Sequence, residues 1–289
     1  MNTTKIGLVN YPDRVREYFY EDTHEFLVAV GGGSTSGSTF DKERMVATIP
    51  ILGYIDLDTG KESGIRSNMK FVINEEERAS KNYFKYFEQG KIYRIKGLLP
   101  RPLGNELDTE LRLSRLYVRE IISEGESNDY LKGLFDKYNT VITVTSEILG
   151  VMTLDKRYEY YSGYADWMGK EIEVTINDCD EEYDVSGDLK LAEQFFRNQV
   201  EWDKKLREFA AHELTDKAND WAKEAVKPGE KPEEITEADF ARRIKMVSVE
   251  FGDYGAFTIY FGDDDMFWGH CVTVYGSIED GPDSAQIEG

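Results

Sequence analysis

The chain has 289 residues, of which 40% are hydrophobic and 13% aromatic, so it can build a packed core and is long enough for two domains. Its formal net charge is −21, from 35 Lys and Arg residues against 56 Asp and Glu residues. This charge argues against direct binding of DNA or RNA, because phosphate contacts need basic side chains, and it favours a basic protein partner. Acidity that only keeps the protein soluble is the competing explanation.

Two cysteines, Cys179 and Cys271, lie far apart and form no Cys-x-x-Cys or Cys-x-x-His spacing, which argues against a structural zinc site. They are predicted to be reduced thiols of a cytoplasmic protein (the host cytoplasm if a phage encodes it), and a bridge between them is the alternative. Residues Met1–Gly7 carry no apolar run of signal-peptide length. No segment approaches the roughly 20 apolar residues of a membrane span.

The first part of the chain, residues 1–126, is predicted to be a small β-rich domain. The apolar run Phe26–Val30 predicts a buried strand, and the glycine-rich loop Gly31–Ser38 after it lacks the Gly-Lys-Ser/Thr of a phosphate-binding loop. One helix is predicted over Asn74–Gly90. Further strands are predicted at residues 44–56, 69–73, 91–98 and 113–122. This order resembles an oligonucleotide-binding barrel in architecture only, because the basic groove of that function is not evident.

A helix over residues 127–140, capped by Ser127, is predicted to link this domain to a second one at residues 141–289. The second domain is predicted to contain strands at 141–144, 150–154, 157–161 and 171–176, helices at 189–199, 202–221 and 236–243, and strands at 247–251, 256–261 and 271–275. Strands, then helices, then strands predict an antiparallel sheet with helices on one face. The predicted fold class is α+β, with a small N-terminal β-rich domain and a C-terminal antiparallel sheet packed with helices.

The stretch from Met246 to Gly289 contains nine acidic residues and no Lys or Arg. Inside it, between two predicted strands, three carboxylates stand beside two aromatic rings and a histidine, which is a composition suited to a binding surface. The candidate binding residues of this turn are Asp263, Asp264, Asp265, Phe267, Trp268 and His270. Trp268 is either an exposed anchor or a core residue, and the sequence slightly favours the core.

A second acidic loop follows the predicted strand that ends at Ile176. Its candidate binding residues are Asp180, Glu181, Glu182 and Asp184. Numbered as a calcium loop from Asp178, the segment has Tyr183 where glycine is needed and Leu189 where the bidentate Glu belongs, so it is not an EF-hand. A solvated acidic loop is the favoured interpretation.

Motifs for nucleophilic catalysis, metal binding or cofactor binding are absent from the sequence. His24 and His212 have no recognisable partner. Cys271 is not expected to form a dyad with His270, because neighbouring residues on a strand point to opposite faces. We therefore predict no catalytic residue, no metal site and no cofactor.

Two short elements of the second half are distinctive, Trp-x-Gly at Trp167–Gly169 and Phe-Trp-Gly-His at Phe267–His270. Together with Leu149–Asp155 and Asn219–Trp221 they resemble an uncharacterised domain family of bacteria and phages. The resemblance covers roughly the second half of the chain. It implies an α+β domain and provides no catalytic residue to carry over, and the first half shows no such resemblance.

These observations predict a non-enzymatic, acidic protein-binding inhibitor of the toxin-immunity or phage anti-defence type. Such a protein covers a basic, nucleic-acid-handling face of its partner, for example a nuclease or a toxin, and needs shape and charge rather than a motif. Two alternatives stay open. One is a metal-assisted hydrolase that uses Asp263, Asp265 and His270, and the other is a structural subunit of a homo-oligomer.

Overall fold

In the computed structural model the chain divides into two compact units, residues 1–140 and 141–289. The structure describes residues 4–5, 18–39, 45–73, 75–101, 115–177, 183–227, 231–232 and 234–289. Both units combine strands with helices, so the predicted α+β class is confirmed. No helix in this described part of the chain combines the length and the apolar character that a membrane span requires.

The first unit is a β-barrel with short helices. Its elements are β1 (Thr4–Lys5), β2 (Phe19–Val30), β3 (Ser36–Thr39), β4 (Met45–Asp56), β5 (Glu62–Ser63), β6 (Ser67–Ile73), α1 (Glu75–Ser80), a 3₁₀ helix (Asn82–Lys85), β7 (Ile92–Pro100), β8 (Leu116–Glu124) and α2 (Asp129–Asn139). Five strands close in the order β2-β4-β6-β8-β7, because β7 pairs with both β8 and β2. A closed five-stranded barrel is the architecture that the sequence resembles.

The helix predicted over Asn74–Gly90 is shorter than expected. Helix α1 ends at Ser80, because Lys81 adopts a left-handed backbone conformation with φ 55°, and the 3₁₀ helix follows. Tyr83 and Phe87 are buried against the barrel core. The aromatic residues of this segment therefore cover the barrel from a 3₁₀ turn and a loop rather than from one continuous helix.

Helix α2 is part of the first unit and not a free linker. Its N-cap is Asn128, whose side-chain oxygen accepts the N–H of Leu131 at 3.0 Å, in place of the predicted cap Ser127. Leu131 is fully buried in a cluster with Ala29 and Leu52 of the barrel strands. The helix thus stabilises the barrel by removing an apolar patch from water.

The second unit is one eight-stranded sheet with a layer of helices. Its elements are β9 (Thr143–Ser146), β10 (Gly150–Asp155), β11 (Tyr160–Trp167), β12 (Lys170–Ile176), α3 (Ser186–Arg197), α4 (Gln199–Ala225), α5 (Glu237–Arg243), β13 (Lys245–Phe251), β14 (Ala256–Gly262), β15 (Cys271–Ser277) and β16 (Gly281–Glu288). The strands lie side by side in sequence order. The pairs are antiparallel except β12 with β13, because the three helices form the crossover between those two parallel strands.

The two faces of this sheet differ sharply. On β12, Ile172 and Val174 are buried towards the helices, whereas Glu171 and Glu173 point the other way and are exposed. Helix α4 contributes the buried side chains Leu206, Ala210, Leu214 and Ala218 to the shared core. We call the side of β10–β16 that faces away from the helices the open face. It carries Tyr160, Tyr164, Glu171, Glu173, Glu250, Tyr260, Tyr275 and Glu288.

Candidate functional site

The acidic turn between β14 and β15 is organised by Asp263. Its side chain is only 6% exposed, and its carboxylate accepts the backbone N–H groups of Asp265, Phe267 and Gly269 at 3.2, 2.7 and 3.2 Å. The turn needs such support because it contains left-handed residues, with φ 49° at Asp264 and 58° at Trp268. Asp263 therefore holds the backbone of the turn, with its carboxylate buried against that backbone.

The second carboxylate of the turn is already paired. Arg243 on α5 donates from Nε to Asp264 Oδ2 at 2.8 Å and from its terminal nitrogen to the Asp264 carbonyl at 2.7 Å. Asp265 is exposed, and within the described residues it forms no ion pair. Of the three predicted binding carboxylates, only Asp265 offers an uncompensated charge to a partner.

The two aromatic residues of the turn have opposite environments. Phe267 is fully buried, whereas Trp268 is 54% exposed. The ring of Trp221, on the last turns of α4, lies 5.5 Å from the Phe267 ring and 4.7 Å from the Trp268 ring. The expectation that Trp268 belongs to the core is wrong, because the left-handed backbone at this residue turns its side chain outward over Trp221.

His270 closes the turn. Its Nδ1 lies 2.7 Å from the Phe267 carbonyl oxygen, and since a carbonyl only accepts, Nδ1 carries the proton. Its ring lies 5.4 Å from Trp221 in an edge-to-face arrangement. Among the described residues, Asp263, Asp265 and His270 do not bring three ligand atoms together as a metal site would require.

A cavity of about 400 Å³ lies beside Trp268, between the end of α4, α5 and the acidic turn. Its lining combines apolar side chains, including Ala222, Val226 and Ile235, with Asp265 and Trp268. Arg242 and Arg243 also line it, but each is paired with a carboxylate, Arg242 with Asp239 at 3.0 Å. No local sequence pattern indicates this cavity, because its lining comes from three separate segments.

The second predicted site is described only in part. Asp184 is exposed just before α3, and its carboxylate accepts the N–H and the hydroxyl of Ser186 at 2.9 and 3.2 Å. These hydrogen bonds lower the pKa of Asp184. Asp180, Glu181 and Glu182, like Cys179, lie outside the described residues.

The open face also gathers acidic and aromatic side chains. The strand register places Tyr164 beside Glu173, Glu173 beside Ser248 and Ser248 beside Tyr260, in one row across four strands. The next row contains Glu250, Thr258 and Tyr275. In the described part of the chain, no basic side chain forms an ion pair with Glu173, Glu250 or Glu288. Lys245 also lies on this face by its register with Gly262, and its Nζ donates to the Arg242 carbonyl at 3.0 Å.

Tyrosines and carboxylates on the open face interact directly. A hydrogen bond to Glu288, together with burial, raises the pKa of Tyr275 to about 12. Burial and the neighbouring Glu250 carboxylate raise the pKa of Tyr260, and burial followed by Asp155 and Glu173 raises that of Tyr160. These tyrosines remain neutral at physiological pH, so the charge of the face comes from its carboxylates.

The open face was not predicted from the sequence, although one signal for it was present. Glu171 and Glu173 stand at alternate positions of a predicted strand, as Thr258 and Tyr260 do in another. Alternation shows that such residues share a face of their own strand. It does not show that β12 pairs with β13, some 70 residues later in the chain, and that pairing brings the acids together.

Comparison with known families gives each unit its own match. Residues 146–287 match the family described as an uncharacterized protein conserved in bacteria, DUF2262. Residues 13–138 match DUF7021, a domain of unknown function. The predicted resemblance of the second half to an uncharacterised bacterial domain is thereby confirmed, and the first half gains a family match that the sequence analysis did not reach. No curated protein matches the chain.

Proposed function

We propose that this protein is a non-enzymatic inhibitor that covers a basic, nucleic-acid-handling face of a protein partner, as toxin-immunity and phage anti-defence proteins do. The observation that carries the proposal is the open face of the second unit. It presents carboxylates without basic partners and tyrosine rings between them, on a rigid sheet. A partner that binds nucleic acid displays the complementary charge.

The charge of the chain is concentrated in the unit that carries this face. Residues 141–289 contain 15 Lys and Arg against 34 Asp and Glu, so −19 of the net charge of −21 lies there. Residues 1–140 contain 20 basic and 22 acidic residues and are nearly neutral. Solubility alone would not require this asymmetry, whereas electrostatic steering of a basic partner towards one unit would benefit from it.

The chemistry of the open face suits arginine in particular. A guanidinium group pairs with a carboxylate through parallel N–H bonds and stacks on an aromatic ring. Glu173 stands directly opposite Tyr164 on the neighbouring strand, and the Glu250 carboxylate acts electrostatically on Tyr260, whose pKa is raised by burial and by this carboxylate. Each pair offers both contacts at once, which a surface of carboxylates alone does not.

The turn at residues 263–270 provides a second contact of a different kind. Trp268 is an exposed aromatic side chain beside a cavity, which is the usual setting of an interface anchor. Asp265 lies at the same cavity and adds a negative charge. We assign Trp268 and Asp265 to the partner surface, and Asp263, Asp264, Phe267 and His270 to holding the turn in place.

We place this activity in the cytoplasm. Cys271 is a free cysteine whose thiol donates to the Phe261 carbonyl at 3.2 Å. Burial raises the pKa of this thiol, which slows its reaction with oxidants. A reduced cysteine is typical of cytoplasmic proteins.

Capture of the partner with matched variants tests the proposal. Three proteins are immobilised and incubated with lysate of the native host: wild type, an open-face variant and a control variant. The open-face variant carries Glu173→Gln, Glu250→Gln and Glu288→Gln. The control variant changes three exposed acids of α4, Glu201→Gln, Glu213→Gln and Glu224→Gln. We expect wild type and the control to retain the same basic protein and the open-face variant to lose it. The purified partner should then lose its nucleic-acid activity when wild type is added. Retention by all three proteins, or an unimpaired activity, would contradict the proposal.

A further inference from the structure

Three potential metal ligands meet in the first unit, although they are distant in sequence. His24 lies on β2, Asp56 is the last residue of β4, and Asp58 lies in the turn that follows. The Nδ1 atom of His24 is 3.0 Å from Asp56 Oδ2 and 3.8 Å from Asp58 Oδ2. One ligand atom from each residue lies within 4.8 Å of the other two. His24 thus has partners that the sequence did not reveal.

Backbone groups orient both carboxylates. Asp56 is 2% exposed, and its Oδ1 accepts the N–H groups of Asp58 and Thr59 at 2.9 and 3.2 Å, which leaves Oδ2 directed at His24. The Oδ2 atom of Asp58 accepts the N–H of Glu25 at 3.0 Å. Hydrogen bonds to metal-binding carboxylates serve this orienting role in established sites.

The cluster has an excess of negative charge. Asp56 and Asp58 provide two carboxylates, and among the described residues no Lys or Arg forms an ion pair with either. The nearby Arg94 is paired with Glu25. With a neutral imidazole the three side chains carry two negative charges, one of them buried, and a buried charge without a counter-charge is costly. A single divalent cation would neutralise the cluster.

We propose that His24, Asp56 and Asp58 bind one divalent transition-metal ion. One imidazole nitrogen and two carboxylate oxygens form a ligand set that zinc accepts, with bonds of about 2.0–2.2 Å. Ligand atoms around such an ion lie about 3 Å apart or slightly more. The distances from His24 Nδ1 to the Oδ2 atoms of Asp56 and Asp58, 3.0 and 3.8 Å, are close to this value. The ion joins the turn after β4 to β2 and stabilises the barrel there. This site is independent of the proposed inhibitor function.

Zinc titration of the full-length protein by calorimetry, after dialysis against chelator, tests this site. The variants are His24→Ala and Asp58→Asn. Asp58 has a 54% exposed side chain, so its variant should fold even if that of His24 does not. The control is His212→Ala, because His212 Nδ1 also lies near a carboxylate, 3.3 Å from Glu237 Oε1, but no third ligand joins the two among the described residues.

We expect wild type and the control to bind one zinc ion at this site, and both site variants to bind it at least about tenfold more weakly. Zinc should also shift the imidazole resonances of His24 in NMR spectra and raise the melting temperature of wild type more than that of Asp58→Asn. Zinc affinity that is the same in wild type and Asp58→Asn would overturn the proposal. So would His24 resonances that zinc leaves unmoved, since His24 would then only donate a hydrogen bond to Asp56.

Discussion

The hydroxyl of Tyr275 on β15 donates a 2.6 Å hydrogen bond to the carboxylate of Glu288 on β16. The other carboxylate oxygen of Glu288 accepts the hydroxyl of Thr273 at 3.1 Å. Both oxygens are therefore held on the open face in a fixed orientation. A carboxylate fixed in advance loses less side-chain entropy when it binds a cation, which favours binding.

This hydrogen bond predicts a pH effect. Tyr275 has a pKa of about 12, whereas a tyrosine of the unfolded chain ionises near pH ~10. The stabilisation that this hydrogen bond gives to the folded state is therefore complete below pH ~10 and is lost as pH rises through about 12. Between these two pH values only the unfolded state loses the tyrosine proton. In a spectrophotometric titration, Glu288→Gln should lower the pKa of Tyr275, while Tyr86, whose pKa is also about 12, should titrate late in both proteins. An unchanged titration curve would show that the two residues do not interact.

Neighbouring residues of the acidic turn should respond differently to truncation. Phe267→Ala should lower the free energy of unfolding by roughly 3–5 kcal/mol, because it removes a fully buried ring. Trp268→Ala should lower it by less than about 1.5 kcal/mol, since this residue loses mainly its contact with Trp221. Urea denaturation of the two variants gives both values. Equal losses of unfolding free energy in the two variants would show that Trp268 belongs to the core.

The same comparison can be made for the three carboxylates. Asp263→Asn should destabilise the protein by about 1–3 kcal/mol. The carboxylate accepts hydrogen bonds from backbone N–H groups through both of its oxygens, whereas the amide nitrogen of asparagine cannot accept them. Asp264→Asn should cost at most about 1 kcal/mol, the usual value of an exposed ion pair. Asp265→Asn should change stability by about 0.5 kcal/mol or less. Thermal denaturation of this series checks the order, and a neutral Asp263→Asn would contradict the account of the turn.

The protein alone, without a partner, should not bind nucleic acid. The barrel of the first unit has an architecture that can hold oligonucleotides, but that unit is nearly neutral and the second unit is strongly acidic. At physiological salt, single-stranded and duplex DNA should show no mobility shift with either the whole protein or the open-face variant. Micromolar binding that weakens steeply with salt would reveal a basic surface and would contradict the inhibitor proposal.

Local patterns were enough to predict much of the fold. The helices predicted at 202–221 and 236–243 both form, as α4 and α5, and the hydroxyl of Thr236 accepts the N–H of Asp239 at 3.1 Å at the start of α5. Strand β16 was missed, because Gly281-Pro282-Asp283 has the composition of a turn. Pairing with β15 outweighs that preference, and an edge strand tolerates proline.

The candidate site was less predictable for physical reasons. In the turn, left-handed residues interrupt the alternation of side chains, so the sequence could not decide which of Phe267 and Trp268 is buried. The contact between His24 and Asp56 depends on the pairing of β2 with β4, which no local pattern specifies. Composition identified the acidic stretch at residues 246–289, and only the strand register identified the open face.

Titration with an oligo-arginine peptide tests the central claim most directly. The open-face variant and the α4 control variant each lose three carboxylates, so their net charges are equal and only the position of the change differs. The open-face variant should bind the peptide about tenfold more weakly than wild type, because the charge-assisted hydrogen bonds from arginine to three carboxylates of the open face are lost while the tyrosine rings remain. The affinity of the control variant for the peptide should stay within about twofold of the wild-type affinity, because salt screens charges that lie far from the bound peptide. Equal weakening in both variants would show that net charge alone attracts the peptide and would contradict a binding role for the open face.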